Sequence, residues 1–279
     1  MALARLGSTR RLLTTTAGLL AAGLVGAGVA IAATPQPAIQ TTTPRSERDV
    51  TNVDIDKQQV KNYYGDPLGT GTVGADSNYV KEVKAVEASL SRYLARPHHV
   101  HGTKAIVLDV DDTTLNTWPF ELSVNFAFSP AAQQPYVDGQ KFLPEPGMVD
   151  VVTAAEREGY AIIYLTGRGA TQEVATLGNL TADGVGVDAG YPKPTTLTGG
   201  EDGLFTKPAV ADYPAYLKQA CASDPNGACT TIHYKAATRA HIQSLGYDIV
   251  ANVGDQFSDL KGGSADATFK IPNPTYYLP

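Results

Sequence analysis

Three carboxylates follow directly on a run of apolar residues, and no other part of the chain points so clearly to chemistry. Residues 105–108 are apolar and include β-branched side chains, and Asp109, Asp111 and Asp112 come immediately after them. Such a run is typical of a buried strand in a parallel sheet. Its acids would then lie at the edge where open α/β sheets bind ligands. Crowded like charges do not help folding there, but they suit a site that holds a cation.

A second apolar segment, residues 161–165, also ends in polar side chains. Thr166, Gly167 and Arg168 follow it and supply a hydroxyl, a flexible backbone and a guanidinium. Arg168 could bind oxygens of an anionic substrate, or it could hold a loop by pairing with an acid. The sequence leaves both roles open.

The third apolar segment, residues 249–253, precedes two further acids, Asp255 and Asp259. Lys235 lies between the second and third segments, at the start of a predicted helix. Because the carboxyl ends of parallel strands meet at one edge of a sheet, we expect these side chains to converge with Asp109. The set then contains a nucleophile, an acid, a hydroxyl, a cation and metal-binding carboxylates.

The elements that must position these residues alternate along the chain. Apolar residues recur at three- and four-residue spacing over residues 77–94, which predicts an amphipathic helix. Helices are also expected over 148–158, 171–180 and 238–245, a weak strand over 195–197 and a last strand over 267–271. Strands alternating with helices predict a Rossmann-like α/β fold, a parallel sheet covered by helices on both faces.

These segments resemble the four motifs of the haloacid dehalogenase (HAD) superfamily, and specifically its secreted acid phosphatase branch. That branch includes class B-type bacterial acid phosphatases and plant acid phosphatases with their storage-protein relatives. The resemblance runs from about residue 77 to the C-terminus and includes a closing segment at 270–274. The matching motifs are residues 109–113, 165–168, 234–239 and 254–260.

The resemblance implies a two-step displacement at phosphorus. Asp109 would attack the phosphoryl group and form an aspartyl-phosphate, which divides one difficult step into two. Asp111 would protonate the leaving alcohol and later deprotonate the hydrolytic water. Thr166 and Lys235 would hold the phosphoryl oxygens, with Gly167 beside them.

The resemblance also implies Mg²⁺ as the cofactor. Asp109, the backbone carbonyl of Asp111 and Asp255 would supply oxygen ligands. Asp259 would either bind the ion or orient a metal-bound water or Lys235. A divalent cation offsets the repulsion between a carboxylate and a phosphate dianion.

Two other readings of the acidic motif are weaker. An EF-hand calcium loop needs Gly at its sixth position and Glu at its twelfth, where this chain has Thr114 and Phe120. A dehalogenase of the superfamily needs no acid two residues after the nucleophile, so Asp111 favours phosphoryl transfer.

Residues 116–146, after the first motif, are predicted to form a small cap or insertion. Its aromatic side chains could stack on a substrate or could form the apolar underside of the cap. A small cap implies an open site and small phosphorylated substrates. The aromatic residues are Trp118, Phe120, Phe126, Phe128 and Tyr136.

The sequence therefore predicts a phosphoric monoester hydrolase in residues 76–279. The alternatives are a 5′-nucleotidase or phosphotransferase on the same fold, and a non-catalytic storage or binding homologue. The natural substrate and the oligomeric state are not predicted.

The N-terminus resembles an export signal. Arg5, Arg10 and Arg11 precede an apolar stretch that ends in small residues, so residues 1–33 are predicted to be a signal peptide, and the pair Arg10-Arg11 resembles a twin-arginine signal. Its removal lowers the net charge from −6 to −9, because it carries three arginines and no acids. We therefore expect a secreted protein without a stable membrane anchor and without affinity for nucleic acid polymers. Residues 34–75 are predicted to be mostly a flexible linker, in which residues 60–64 could dock on the domain.

The chain has two cysteines, Cys221 and Cys229, separated by a loop that contains Pro-Asn-Gly. A turn there brings the two thiols together, and an exported protein meets an oxidising environment. The sequence thus predicts a disulfide; the loop lacks a further His or Cys that would complete a metal site.

Overall fold

The computed structural model describes residues 43–278. The predicted signal peptide and the first part of the predicted linker lie outside the described residues. In chain order the strands are β1 (Thr103–Leu108), β2 (Leu115–Asn116), β3 (Leu143–Pro144), β4 (Ala161–Gly169), β5 (Leu204–Lys207), β6 (Tyr247–Gly254) and β7 (Ala267–Lys270).

Two helices precede β1 and the others lie between the strands. Among the described residues, short 3₁₀ turns accompany them at Glu47–Asp49, Ala170–Gln172, Val210–Asp212 and Pro225–Gly227. The helices are α1 (Val53–Tyr63), α2 (Asn78–Leu94), α3 (Trp118–Ser123), α4 (Pro130–Asp138), α5 (Met148–Arg157), α6 (Glu173–Leu180), α7 (Ala215–Ala220), α8 (Thr231–Ser244) and α9 (Phe257–Leu260).

Five strands form one parallel sheet in the order β5-β4-β1-β6-β7. The central strand β1 is buried on both sides because successive residues of a strand point to opposite faces. Ile106 and Leu108 enter one hydrophobic core, and Ala105 and Val107 enter the other. Helices α2 and α5 contribute to the first core, and α7 and α8 to the second. The predicted α/β fold with both faces covered is confirmed.

The edge strand β5 is not where the sequence predicts it. Residues 195–197 form no strand, although Thr195 exchanges two hydrogen bonds with Ile162 of β4, through its amide (2.8 Å) and its hydroxyl (2.9 Å). The strand instead lies at Leu204–Lys207. It is short and alternates between buried and partly buried residues, so it carries less apolar signal than a central strand.

The segment before the domain contains a helix that the sequence does not predict, and residues 60–64 dock on the domain as the sequence allows. Asn52 precedes α1, and its side chain accepts hydrogen bonds from the first free amides of the helix. Tyr64 is buried after the helix and stacks on Trp118 and on Tyr79, with ring centroids 4.1 Å apart in both pairs. Asp66 accepts a hydrogen bond from the indole N–H of Trp118 at 3.0 Å. These aromatic contacts with the domain hold a segment whose own sequence has little apolar periodicity.

The predicted insertion, residues 116–146, contains α3 and α4 and most of the small sheet formed by β2 and β3. It is too small to form a core of its own. Farther along the chain, Cys221 and Cys229 form the predicted disulfide, with Cα atoms 5.0 Å apart. Within the part of the chain that the structure describes, no helix is both long and apolar enough to cross a membrane.

Candidate active site

Three strand ends meet at one edge of the sheet. Asp109 directly follows β1, and its backbone amide donates to the carbonyl of Val253 in β6 at 3.0 Å. Asp255 follows the end of β6, and Thr166 and Arg168 lie in the last part of β4. The parallel register of β4, β1 and β6 therefore delivers all three polar segments to the same place.

Lys235, on the first turns of α8, reaches across to this edge. Its ammonium donates to Oδ1 of Asp109 and, at 2.6 Å, to Oδ1 of Asp259. All three side chains are buried. Burial by itself lowers the pKa of Lys235, but the adjacent charges of Asp109 and Asp259 outweigh it and raise the pKa above its usual range. Lys235 is therefore a fixed cation between two carboxylates.

Asp109, Asp255 and Asp259 form a compact acidic cluster, with one carboxylate oxygen of each within 4.8 Å of the others. Burial raises the pKa of Asp255 to about 7, and the charges of Asp259 and Asp112 add to the shift. One ammonium cannot neutralise three carboxylates. An all-oxygen donor set with surplus negative charge fits a hard divalent cation such as Mg²⁺.

The side chain of Asp111 points to a different partner. The guanidinium of Arg168 binds it with two hydrogen bonds, one from Nε and one from Nη2. Of the two roles that the sequence leaves open for Arg168, this geometry corresponds to pairing with an acid. Asp111 still lines the pocket beside Asp109.

Thr166 is fully buried and is not among the residues that line the pocket. Its hydroxyl oxygen accepts a hydrogen bond from the amide of Arg168 at 3.1 Å. Gly167, between them, does line the pocket. The backbone turn at 166–168 thus faces the site, whereas the Thr166 side chain supports that turn from behind.

Several residues that sequence reasoning did not select hold Asp255 in place. Its carboxylate accepts hydrogen bonds from the side-chain amides of Asn273 and Gln256, both at 2.7 Å, and from the hydroxyl of Thr113 at 3.2 Å. Asn273 also donates to Asp112 at 3.2 Å. Asn273 belongs to the closing segment that the resemblance singles out, which is the one signal that could have identified it.

A close backbone approach positions Asp259. A Cβ atom on Gly254 would come within 2.4 Å of the Asp259 Cβ atom, so only glycine allows α9 to fold back onto the end of β6. The carbonyl of Asp259 accepts from Arg239 at 2.6 Å and from Asn252 at 2.9 Å. These contacts orient the Asp259 carboxylate toward Lys235.

These groups lie at the base of a pocket of about 650 Å³. The cap contributes Thr117, Glu121 and Phe128 to its wall, and the C-terminal tail contributes Tyr276 and Leu278. The other predicted cap aromatics do not line it; Trp118 and Phe120 are buried beneath the cap. The lining at the base is Asp109, Asp111, Gly167, Arg168, Lys235, Asp255 and Asp259.

The site lies at the edge of a parallel sheet, where an Asp-x-Asp pair follows the central strand and a lysine and more acids surround the same pocket. Such a site is suited to phosphoryl transfer. The chain belongs to subfamily IIIB, the acid phosphatases, of the HAD superfamily, whose family model matches residues 33–279. The predicted family is confirmed, and it supports the predicted phosphomonoesterase class.

Curated relatives include plant proteins. The chain is 28% identical over 191 residues to the stem 28 kDa glycoprotein of Glycine max, covering 67% of this chain and 65% of that one. It is 25% identical over 181 residues to acid phosphatase 1 of Solanum lycopersicum, covering 63% and 60%. Vegetative storage protein 1 of Arabidopsis thaliana is 45% identical over 56 residues, which cover 20% of this chain and 21% of that one. The chain thus spans less than two thirds of the length of these relatives.

Among solved structures, the class C acid phosphatase from Bacillus anthracis has the same fold. The TM-score is 0.51 at 20% identity, and the match covers 81% of this chain and 87% of that one.

Proposed function

We propose that this protein is an exported, Mg²⁺-dependent acid phosphatase that hydrolyses small phosphomonoesters through an aspartyl-phosphate on Asp109. The observation that carries the proposal is the meeting of Asp109, Asp111, Lys235 and Asp255 at one pocket. They come from three separate segments of the chain, and each supplies a group that the reaction needs.

In the first step, an oxygen of Asp109 forms a bond to phosphorus while the bond to the ester oxygen breaks. Asp111 gives its proton to the departing alkoxide, so that a neutral alcohol leaves. In the second step, Asp111 removes a proton from a water that attacks the aspartyl-phosphate. Inorganic phosphate is released and Asp109 is regenerated.

Lys235 offsets negative charge on the transferring phosphoryl group, because its ammonium lies against Asp109. Gly167 and Arg168 line the same pocket. Thr166, predicted as a phosphate ligand, stays a prediction. Asp109, Asp255 and the backbone of Asp111 would hold Mg²⁺, which supplies further positive charge for the phosphate oxygens.

Asp259 belongs to the acidic cluster and also contacts Lys235. One of its oxygens accepts from Lys235 and the other accepts from the backbone amide of Gln256 at 2.7 Å. These two contacts fix the orientation of its carboxylate. We propose that Asp259 aims Lys235 at the phosphoryl group.

Export is supported by the N-terminal sequence and by the disulfide, which is typical of proteins in oxidising compartments. The storage-protein names among the relatives favour a second candidate, a non-catalytic storage protein. Against it, a storage protein has no use for the complete set of Asp109, Asp111, Lys235 and Asp255.

The decisive experiment assays the purified protein on p-nitrophenyl phosphate and nucleoside monophosphates, with Mg²⁺ and with a chelator. Asp109→Asn should abolish turnover and leave the circular dichroism spectrum unchanged, whereas Asp150→Asn, an exposed acid on α5, should retain full activity. An active Asp109→Asn variant would overturn the nucleophile assignment. No turnover by the native chain on any ester would favour the storage role.

Added methanol separates a phosphotransferase from a hydrolase. A phosphotransferase passes the phosphoryl group to methanol, so it releases more of the substrate's own alcohol than inorganic phosphate, whereas a hydrolase releases the two in equal amounts.

A further inference from the structure

Glu121 is a buried acid in the pocket wall for which the hydrolytic mechanism has no use. It lies on α3 in the cap, 2% exposed, and it lines the pocket together with Asp111 and Phe128. Its Oε2 atom is buried and has no hydrogen-bond partner among the described residues. A buried carboxylate oxygen without a donor is costly, since it has lost its hydration and gained nothing in exchange.

The surrounding groups do not relieve this cost. Arg168, a cation in the same pocket wall, is already committed to Asp111 and, through Nη1, to Thr176 at 3.0 Å. Burial, with a contribution from the charge of Asp111, raises the pKa of Glu121 to about 7. Glu121 thus lies close enough to Asp111 to sense its charge, with no opposite charge of its own.

Two other polar side chains that the cap presents to the pocket have partners within the protein. Thr117 donates to Asp112 at 2.6 Å, and the Gln134 side chain donates to Asp138 at 2.7 Å and accepts from Gln172 at 2.9 Å. Glu121 differs from them because its Oε2 atom has no hydrogen-bond partner among the described residues.

The position of Glu121 indicates which part of a ligand it would meet. In the proposed function, on which this inference rests, Asp111 protonates the leaving oxygen, so the groups around Asp111 surround the leaving alcohol and not the phosphate. The wall beside Glu121 is apolar at Phe128 and, in the tail, at Leu278. A leaving group that fits is a short carbon chain that carries one donor at its far end.

We propose that Glu121 is a specificity-determining residue that accepts a hydrogen bond from an O–H or N–H group on the leaving alcohol. The preferred substrates are then monoesters of diols, polyols or amino alcohols, and not of plain alkyl alcohols. A substrate without the donor leaves the Glu121 oxygen unpartnered in a closed pocket, which is how buried polar groups reject close analogues.

The test compares three esters of the same length: propyl phosphate, 3-hydroxypropyl phosphate and 3-aminopropyl phosphate. Above the Glu121 pKa of about 7, where this carboxyl carries its negative charge, we expect the native protein with Mg²⁺ to favour the two donor-bearing esters over propyl phosphate by about tenfold or more in kcat/KM. Glu121→Leu should abolish both preferences. Glu121→Gln retains an acceptor but no charge, so it should keep the preference for the hydroxyl and lose the preference for the ammonium.

The matched control is Glu87→Gln. Glu87 is also a buried acid with an unpartnered oxygen, Oε1, but it lies on α2 and does not line the pocket. Its replacement should leave the ratios between the esters unchanged. Thermal unfolding of each variant establishes that it is folded. If Glu121→Leu is not folded, the isosteric Glu121→Gln variant carries the test.

Binding to the Asp109→Asn variant, measured by calorimetry with the same esters and Mg²⁺, separates this inference from the proposed function. Turnover of all three esters at equal kcat/KM, or unchanged ratios in Glu121→Leu, would overturn the role of Glu121 and leave the phosphatase intact. A binding preference for the donor-bearing esters without any turnover by the native chain would support Glu121 and refute the phosphatase.

Discussion

Two hydrogen bonds join the guanidinium of Arg168 to the carboxylate of Asp111, from Nε to Oδ2 at 3.0 Å and from Nη2 to Oδ1 at 2.7 Å. The remaining nitrogen, Nη1, donates to the hydroxyl of Thr176 on α6. A planar guanidinium that is held on both sides leaves Asp111 little freedom to rotate. Arg168 thus fixes the side chain to which we assign the proton transfers.

Replacing Arg168 with Lys should impair the protonation of the leaving group more than the binding of substrate. A lysine keeps the charge but cannot form the paired hydrogen bonds. We expect kcat for alkyl phosphates to fall about 10- to 100-fold, part of the usual contribution of a general acid. The loss should be smaller for p-nitrophenyl phosphate, whose leaving group needs little help from an acid.

The control is Lys193→Gln, which removes an exposed cation that pairs with Asp183 and does not line the pocket. It should leave both substrates unaffected. Equal losses on alkyl and nitrophenyl esters in Arg168→Lys would show that Arg168 does not act through Asp111.

Asn273→Ala should weaken metal binding without removing a metal ligand. The Asn273 amide donates to Asp255 at 2.7 Å, and residues that orient a ligand in this way typically contribute about 10- to 100-fold in metal affinity. The Mg²⁺ concentration for half-maximal activity should rise by this factor, while kcat at saturating Mg²⁺ stays close to that of the native protein. The Mg²⁺-dependent rise in Tm should shift to the same higher concentrations, and an unshifted Mg²⁺ titration would contradict the prediction.

Stability should decrease as the pH rises, in part because of Glu145. This acid is buried under the cap, where Tyr79 and Asn116 donate to it at 2.5 Å and 2.9 Å. Burial raises its pKa from 4.5 to about 8, against the opposing effect of those two hydrogen bonds. The folded state therefore keeps a proton on Glu145 that the unfolded chain loses. The contribution of Glu145 to stability is fully present below pH 4.5 and is lost as the pH rises to about 8.

Urea unfolding in chelator at several pH values between 5 and 8 measures this effect. We expect the free energy of unfolding of the native protein to fall by about 1–4 kcal/mol more than that of Glu145→Gln, which cannot ionise. Glu156→Gln, an exposed acid on α5, is the control and should follow the native curve. Parallel curves for the native protein and Glu145→Gln would rule out ionisation of this residue as a cause.

The disulfide should contribute to stability and not to catalysis. It closes a short loop between α7 and α8 and lies in the second hydrophobic core, with a sequence separation of 8. Replacing both cysteines with serine should reduce the free energy of unfolding by about 2–3 kcal/mol on the chain-entropy estimate. Activity at 25 °C should persist, as should that of the native protein under mild reduction. A large loss of kcat in a folded variant would indicate that this loop positions Lys235.

The parallel sheet and the place of its acids could be predicted because each signal is local. A buried central strand needs an uninterrupted apolar run, and β1, β4 and β6 all have one. The polar residues that follow such runs must lie at the carboxyl edge of the sheet. The edge strand β5 was missed because half of its surface is less buried, which removes the apolar run on which the prediction depends.

Contacts between distant segments could not be predicted in the same way. The sequence predicts that residues 60–64 could dock on the domain, but no pattern around Tyr64 indicates that its partner is Trp118. Whether the Arg168 guanidinium binds substrate or pairs with Asp111 depends on the positions of these groups in space. In the sequence, nothing distinguishes Glu121 from the other acids. Only the structure shows that it is buried in the pocket wall with an unpartnered oxygen.

The amino-acid sequence by itself determined the α/β architecture, the family and the short list of acids, hydroxyls and cations at the sheet edge, because strand burial and motif order are properties of neighbouring residues. The tertiary structure alone decided which of these side chains are partners, which face the pocket and which support it from behind. Those outcomes depend on distances between groups far apart in the chain and on the water that packing excludes from around them.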